Sequence, residues 1–157
     1  MHKIRKADPQ DLSALARLWF DGWTEAHRDH VPEGLTALRT NDAFHTRLIN
    51  FADLLRMAGT AEEPLGLCAI TENEIDQLFV SSKARGTGLA AELLKDGETR
   101  IKNTGAKAAL LYCLSKNLPA KRFYEKQGWI NSEIKDVPFE VDGTAFPVNC
   151  IIFRKTL

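Results

Sequence analysis

No excess charge of either sign marks this chain, since Lys plus Arg and Asp plus Glu stand at 21 each. That balance removes the broad field by which a protein holds nucleic acid or a membrane surface non-specifically, so any bound anion must be held locally. Cysteine is scarce. Cys68, Cys113 and Cys150 are an odd number at wide spacing with no CxxC pair, which argues against a disulfide framework and a structural zinc site and points to a reducing, cytoplasmic location. Apolar runs are only a few residues long, far below the ~20 needed to cross a bilayer, and Met1-His2-Lys3-Ile4-Arg5 leads into polar sequence and not a signal-peptide core. The expectation is no nucleic acid, no membrane and no export.

What is present is the composition of a packed globule, 157 residues with 44% apolar and 27% charged. A chain of this size hides about two-thirds of its unfolded surface on folding, so one domain over residues 1–157 is expected. Ile4 to Lys6 is strand-like. Asp8-Pro9-Gln10-Asp11 reads as a helix start, and Leu12, Leu15, Ala16, Trp19 and Trp23 then repeat at helical spacing as a core stripe. Glu25 to Gly34, polar and broken by Pro32 and Gly34, reads as a loop or frayed helix end. Phe44, Leu48 and Phe51 place a second helix over Asn41 to about Asn50.

From Leu54 the pattern turns strand-like. Segments Leu54 to Ala58, Leu65 to Thr71 and Ile75 to Val80 with short turns between them predict an antiparallel meander. Gly88 opens a helix that runs past Ile101 and stops near Gly105, and Ala108 to Leu114 is almost wholly apolar. Strand, helix and apolar strand make a βαβ unit with parallel strands and a right-handed crossover. Pro119 and Gly128 bracket a short helix. Trp129 to Lys135 and Pro147 to Arg154 read as closing strands, with Asp142-Gly143 as a turn.

The chemistry concentrates at Val80-Ser81-Ser82-Lys83-Ala84-Arg85-Gly86-Thr87-Gly88-Leu89-Ala90-Ala91. Two glycines between a strand end and a helix N-terminus let backbone N–H groups approach an anion, and the first helical turn offers unpaired donors. A Walker loop, GxxxxGK followed by Ser or Thr, is absent, which disfavours ATP-driven chemistry. Gly86-x-Gly88-x-x-Ala91 meets a loose dinucleotide fingerprint, but the next strand ends at Tyr112-Cys113-Leu114-Ser115-Lys116 without an acid for a ribose hydroxyl.

Arg85-Gly86-Thr87-Gly88-Leu89-Ala90 resembles the Arg/Gln-x-x-Gly-x-Gly/Ala signature of the Gcn5-related N-acetyltransferase (GNAT) family. A second block, Asn117-x-x-Ala120-x-x-Phe123-Tyr124-Glu125-Lys126-x-Gly128-Trp129, resembles that family's other coenzyme-contacting segment and follows at the expected interval. The resemblance implies an α/β (α+β) fold in which a mixed, centrally splayed β-sheet is flanked by helices, and acetyl-CoA as co-substrate without a metal. The pantetheine arm would pair with the backbone along Leu78, Phe79 and Val80. The diphosphate would sit on amides of Gly86, Thr87, Gly88, Leu89, Ala90 and Ala91 with Arg85 beside it, Asn117 would touch the coenzyme arm, and Tyr124 would face the thioester sulfur.

Acyl transfer needs a neutral amine, a polarised carbonyl and a stabilised leaving thiolate. A lysine-like amine is neutral about once in 2,500 at pH 7, a cost of ~4.6 kcal/mol, against ~1 kcal/mol for an α-amino group. Glu74 and Asp76 are the candidate bases, expected on one face of their strand because side chains alternate; Glu74 matches by motif offset. Tyr124 is the candidate partner of the leaving sulfur. His27 and His30 lack a third metal ligand and read as a solvated helix end, and Cys113 reads as a buried structural cysteine. The acceptor, a small-molecule amine or a protein amino group, is expected to meet the stretch Trp23 to Arg39, with Arg28 and Asp29 as selecting residues. A non-catalytic acyl-CoA sensor is the alternative function, and a homodimer is open.

Overall fold

Alternating apolar segments join into one seven-stranded mixed sheet in the structure, a computed structural model that describes all 157 residues. Strands β1 (Ile4–Lys6), β2 (Leu55–Gly59), β3 (Pro64–Thr71), β4 (Glu74–Val80), β5 (Ala108–Leu114), β6 (Ile130–Val141) and β7 (Thr144–Thr156) lie in the order β1-β2-β3-β4-β5-β7-β6. Only β4 and β5 pair in parallel. The predicted meander is β2-β3-β4, and the βαβ crossover is made by α4 (Leu89–Asn103).

Each face of the sheet has its own core. On one side α1 (Leu12–His27) and α3 (Asn41–Phe51) press Leu15, Trp19, Trp23, Phe44 and Leu48 onto Leu55, Met57, Leu67 and Ala69. On the other, Leu89, Leu93, Leu94 and Ile101 of α4 cover Cys68, Ile75, Ala109, Leu111 and Phe153, with Phe123 and Tyr124 of α5 (Leu118–Lys126) packed alongside. The stripe read from α1 is therefore core. Arg5 fixes the start of the chain, donating to both oxygens of buried Asp11 at 2.8 and 3.0 Å while the Asp8 N–H donates to the same carboxylate.

Three departures from the sequence reading have local causes. The stretch Glu25 to Gly34 is not a loop throughout: α1 continues to His27, a 3-10 turn covers Arg28–His30, and a short helix, α2 (Glu33–Leu38), follows Pro32. Leu35 of α2 is fully buried against Leu114, Val148 and Cys150; one tertiary anchor holds a helix too short for periodicity to reveal. Strands β6 and β7 extend well beyond Lys135 and before Pro147, as arms of one hairpin closed at Asp142-Gly143, both at positive φ. Pro138 and Pro147 stand opposite each other, so both missing N–H donors fall on a single rung, and β5 ends opposite Cys150, short of Pro147.

The third departure lies in β4. Ile75 pairs with Ile70 but Gln77 pairs with Ala69, leaving Asp76 as the extra residue of a bulge. Ile75 and Leu78 consequently pack in the same core although three positions apart, which strict alternation forbids. The bulge turns the far half of β4 relative to its start.

Candidate active site

The parallel pairing of β4 with β5 amounts to one register position, Glu74 opposite Leu110, where the Leu110 N–H also donates to Asn73 O at 3.0 Å. Beyond it the strands separate, so the backbone of Leu78, Phe79 and Val80 has β3 on one side and no strand partner on the other. A cavity of about 280 Å³ passes through this split. Trp23, His27, Arg39 and Arg47 line it from the α1–α3 side, and Ala120 and Tyr124 from α5 on the opposite face.

At the mouth of β4 the chain makes a 3-10 turn, Ser82–Ala84, and then Gly86 and Gly88 at φ +77° and +86°. The left-handed backbone is what requires glycine here. The N–H groups of Gly86, Gly88, Leu89, Ala90 and Ala91 have no backbone acceptor; the ladder of α4 begins with Glu92 donating to Gly88 O at 3.1 Å. A Cβ at either glycine would meet no atom within 4 Å. Five amides without a backbone acceptor at a helix N-terminus, two of them at glycines with open space beside them, fit a diphosphate. Thr87 differs from its neighbours: its N–H and hydroxyl are both used on Ala84 O. Arg85 is exposed. Leu78 and Val80 pack on the α4 face, whereas the Phe79 side chain turns the other way and lies against Gly22 of α1, where any β-carbon would collide with its ring.

Glu74 and Asp76 both line the cavity. Burial, reinforced by Asp76 and Glu72, pushes the Glu74 carboxyl from an ordinary 4.5 up to about 7. Asp76 accepts from the Thr71 hydroxyl and from Gln77 Nε2. Tyr124 packs between Phe153 and Trp129, ring centroids 5.7 and 6.5 Å away. Its hydroxyl has no hydrogen-bond partner within the chain, and burial pushes its pKa well above the phenol range, so it stands as a neutral donor.

Asn117 closes the site at the N-cap of α5. Its Oδ1 accepts from the Ala120 N–H at 3.3 Å, which sets the amide, and its Nδ2 lies 3.3 Å from His27 Nε2. His27 is thus not at a solvated helix end. It is partly enclosed, stacked 5.7 Å from Trp23, and burial lowers its pKa to about 4. His30, beyond it, is exposed, and no group of three or more His, Cys, Asp or Glu converges anywhere in the fold. Cys113 lines the cavity, but burial pushes its thiol up to about 12, which leaves no thiolate. Arg28 and Asp29 are exposed and outside the cavity wall; within the stretch Trp23 to Arg39 it is Trp23, His27 and Arg39 that line it. Arg47, which no sequence motif marks, lines it too. The available signal was a basic residue three positions after Phe44 and one before Leu48, on the apolar face of α3.

A splayed mixed sheet with an anion cradle at the end of its fourth strand defines the class of acyl-CoA-dependent N-acyltransferases. Residues 26–147 match the family described as the acetyltransferase (GNAT) domain, and the chain belongs to that family. Its fold is similar to a GCN5-related N-acetyltransferase from Rhodopseudomonas palustris, at 20% identity over 100% of this chain and 96% of the other, with a TM-score of 0.78. It is similar also to the PaiA N-acetyltransferase from Thermoplasma acidophilum solved with coenzyme A, at 20% identity, coverage of 100% and 99% and TM-score 0.70. A third similar structure is YncA from Salmonella typhimurium with acetyl-CoA, at 12% identity, coverage of 99% and 94% and TM-score 0.73. No curated protein matches the sequence significantly.

Proposed function

We propose that the protein moves an acetyl group from acetyl-CoA to a primary amine by direct attack within a ternary complex. The observation that carries this reading is the split between β4 and β5, open beyond Glu74 and reached from one face by Tyr124 and from the other by Glu74.

The five free amides from Gly86 to Ala91 hold the diphosphate, and the unpaired edge of Leu78 to Val80 takes the pantetheine amides as an added strand would. That places the thioester inside the split. Glu74, poised near neutrality, takes a proton from the incoming ammonium, so that the neutral amine forms its bond to the carbonyl carbon. As the carbon–sulfur bond breaks, the Tyr124 hydroxyl donates a hydrogen bond to the sulfur. Full proton transfer from a free phenol to a thiolate is already uphill by ~2 kcal/mol, and burial of Tyr124 raises that further, so its contribution is the hydrogen bond itself.

The test is release of free thiol from acetyl-CoA across a panel of primary amines, run beside coenzyme binding by calorimetry. Amine-dependent thiol release is the expected result. Tight coenzyme binding with no amine-dependent release overturns catalysis and leaves an acyl-CoA-binding module.

A further inference from the structure

The acceptor side of the cavity is electrically polarised. Glu74 and Asp76 enter it from β4, while Arg39, in the two-residue link between α2 and α3, and Arg47, on α3, enter it from elsewhere. Arg47 lies with its guanidinium 4.5 Å from the Trp19 ring centroid and 5.8 Å from that of Phe44, so a planar aromatic face supports it and leaves its edge donors free. The Arg39 Nε is buried without a hydrogen-bond partner. Neither guanidinium has a carboxylate within ion-pair distance, although nine other lysines and arginines of this chain do. Burial disfavours the Arg47 charge, and Arg39 stands close enough to add to that, with Asp76 acting in the opposite sense.

Two enclosed cations side by side are costly unless an anion joins them, and a buried donor without an acceptor needs an explanation of the same kind. Asp76 favours the Arg47 charge only from beyond ion-pair distance and makes no hydrogen bond to either guanidinium; its oxygens accept from Thr71 and Gln77. Resting on the acyltransferase reading above, we infer that the acceptor is a small amino acid whose carboxylate is held by Arg39 and Arg47 while its amine faces Glu74. A carboxylate matches the forked donors of arginine, and an acid wall opposite a guanidinium wall matches an ammonium joined to a carboxylate. The cavity of about 280 Å³ must admit the thioester as well, which leaves room only for a small acceptor. Polyamines and simple alkylamines bring only positive charge to the arginines and are disfavoured. The reaction balances as amine plus thioester giving amide plus thiol: the N–C bond forms, the C–S bond breaks, and the ammonium proton leaves through Glu74.

The experiment is steady-state kinetics on α-amino acids, each paired with its own carboxamide and with a carboxylate-free amine of the same side chain, for wild type, Arg39→Gln, Arg47→Gln and Arg47→Lys. The acid is expected to exceed its carboxamide by about tenfold or more in kcat/KM, as a charge-assisted pair commonly provides. Each Gln variant should lose about that factor on the acid and little on the carboxamide, with Arg47→Lys intermediate. Thermal unfolding and coenzyme binding check the variants; should Arg47→Gln not fold, Arg39→Gln carries the comparison. Equal use of acid and carboxamide, or variants that lower both alike, overturns the inference and leaves the acyltransferase reading standing. Release of thiol with no panel amine overturns both.

Discussion

Asn117 Nδ2 lies 3.3 Å from His27 Nε2, joining residues ninety positions apart across the split in the sheet. Because the amide oxygen is committed to the Ala120 N–H, the nitrogen donates, and the imidazole is neutral with its proton on Nδ1. The C-terminal end of α1 is thereby tied to the start of α5, the element that carries Tyr124. One hydrogen bond thus links the two sides of the split.

Stability should depend on pH through two groups of opposite sign. His27 falls from 6.5 to about 4 on folding, so the unfolded chain binds more protons in that window and stability is lost as pH falls through it. Glu74 rises from 4.5 to about 7, so the native state holds the extra proton and stability is lost as pH rises through that window. Denaturant midpoints from pH 4 to 8 should show His27→Gln gaining on wild type toward acid and Glu74→Gln gaining toward pH 8. Parallel profiles for all three proteins would show that neither group is perturbed by the fold.

Activity should fall below about pH 7 because Glu74 must be ionised to accept a proton. In Glu74→Gln that limb disappears, leaving only the rise set by the amine itself. The rate at pH 8 is expected to drop by about 10²- to 10⁴-fold, the usual contribution of a positioned base. A variant that keeps both the limb and the rate assigns the base elsewhere.

Tyr124→Phe keeps the ring between Phe153 and Trp129 and removes only the hydroxyl. Turnover is expected to fall by one to two orders of magnitude, about 1.5–3 kcal/mol, with coenzyme affinity and melting temperature little changed. Full turnover in single-turnover measurements would make Tyr124 a packing residue.

Gly88→Val should remove coenzyme binding while the protein stays folded. The added β-carbon meets no protein atom within 4 Å beyond its chain neighbours, so the damage comes from φ +86°, which costs a β-branched residue about 1–2 kcal/mol and displaces the amides of the cradle. Acetyl-CoA at one hundred times its dissociation constant stabilises the wild type by about 2.7 kcal/mol, and the variant should show no thermal shift at the same concentration. An equal shift in both would move the diphosphate away from this loop.

The features legible in the sequence are those that neighbours along the chain settle by themselves. Trp19 and Trp23 follow helical periodicity, Gly86 and Gly88 mark a left-handed turn before a helix, and Asp142-Gly143 marks a two-residue hairpin turn, because each depends on backbone preference over a few residues. Family resemblance added the splayed sheet, which periodicity alone does not encode. Tertiary structure decided the rest. The bulge at Asp76 has no glycine or proline to announce it; it falls in the strand that pairs with β3 throughout but with β5 only at its Glu74 end, before the split opens. Helix α2 exists because Leu35 finds a pocket on β5 and β7. Arg39 and Arg47 look like ordinary helix-end and helix-face residues in the sequence; they share a cavity only because α3 packs its apolar face on Trp19 beside the split, and long-range packing of that kind leaves no local period to read.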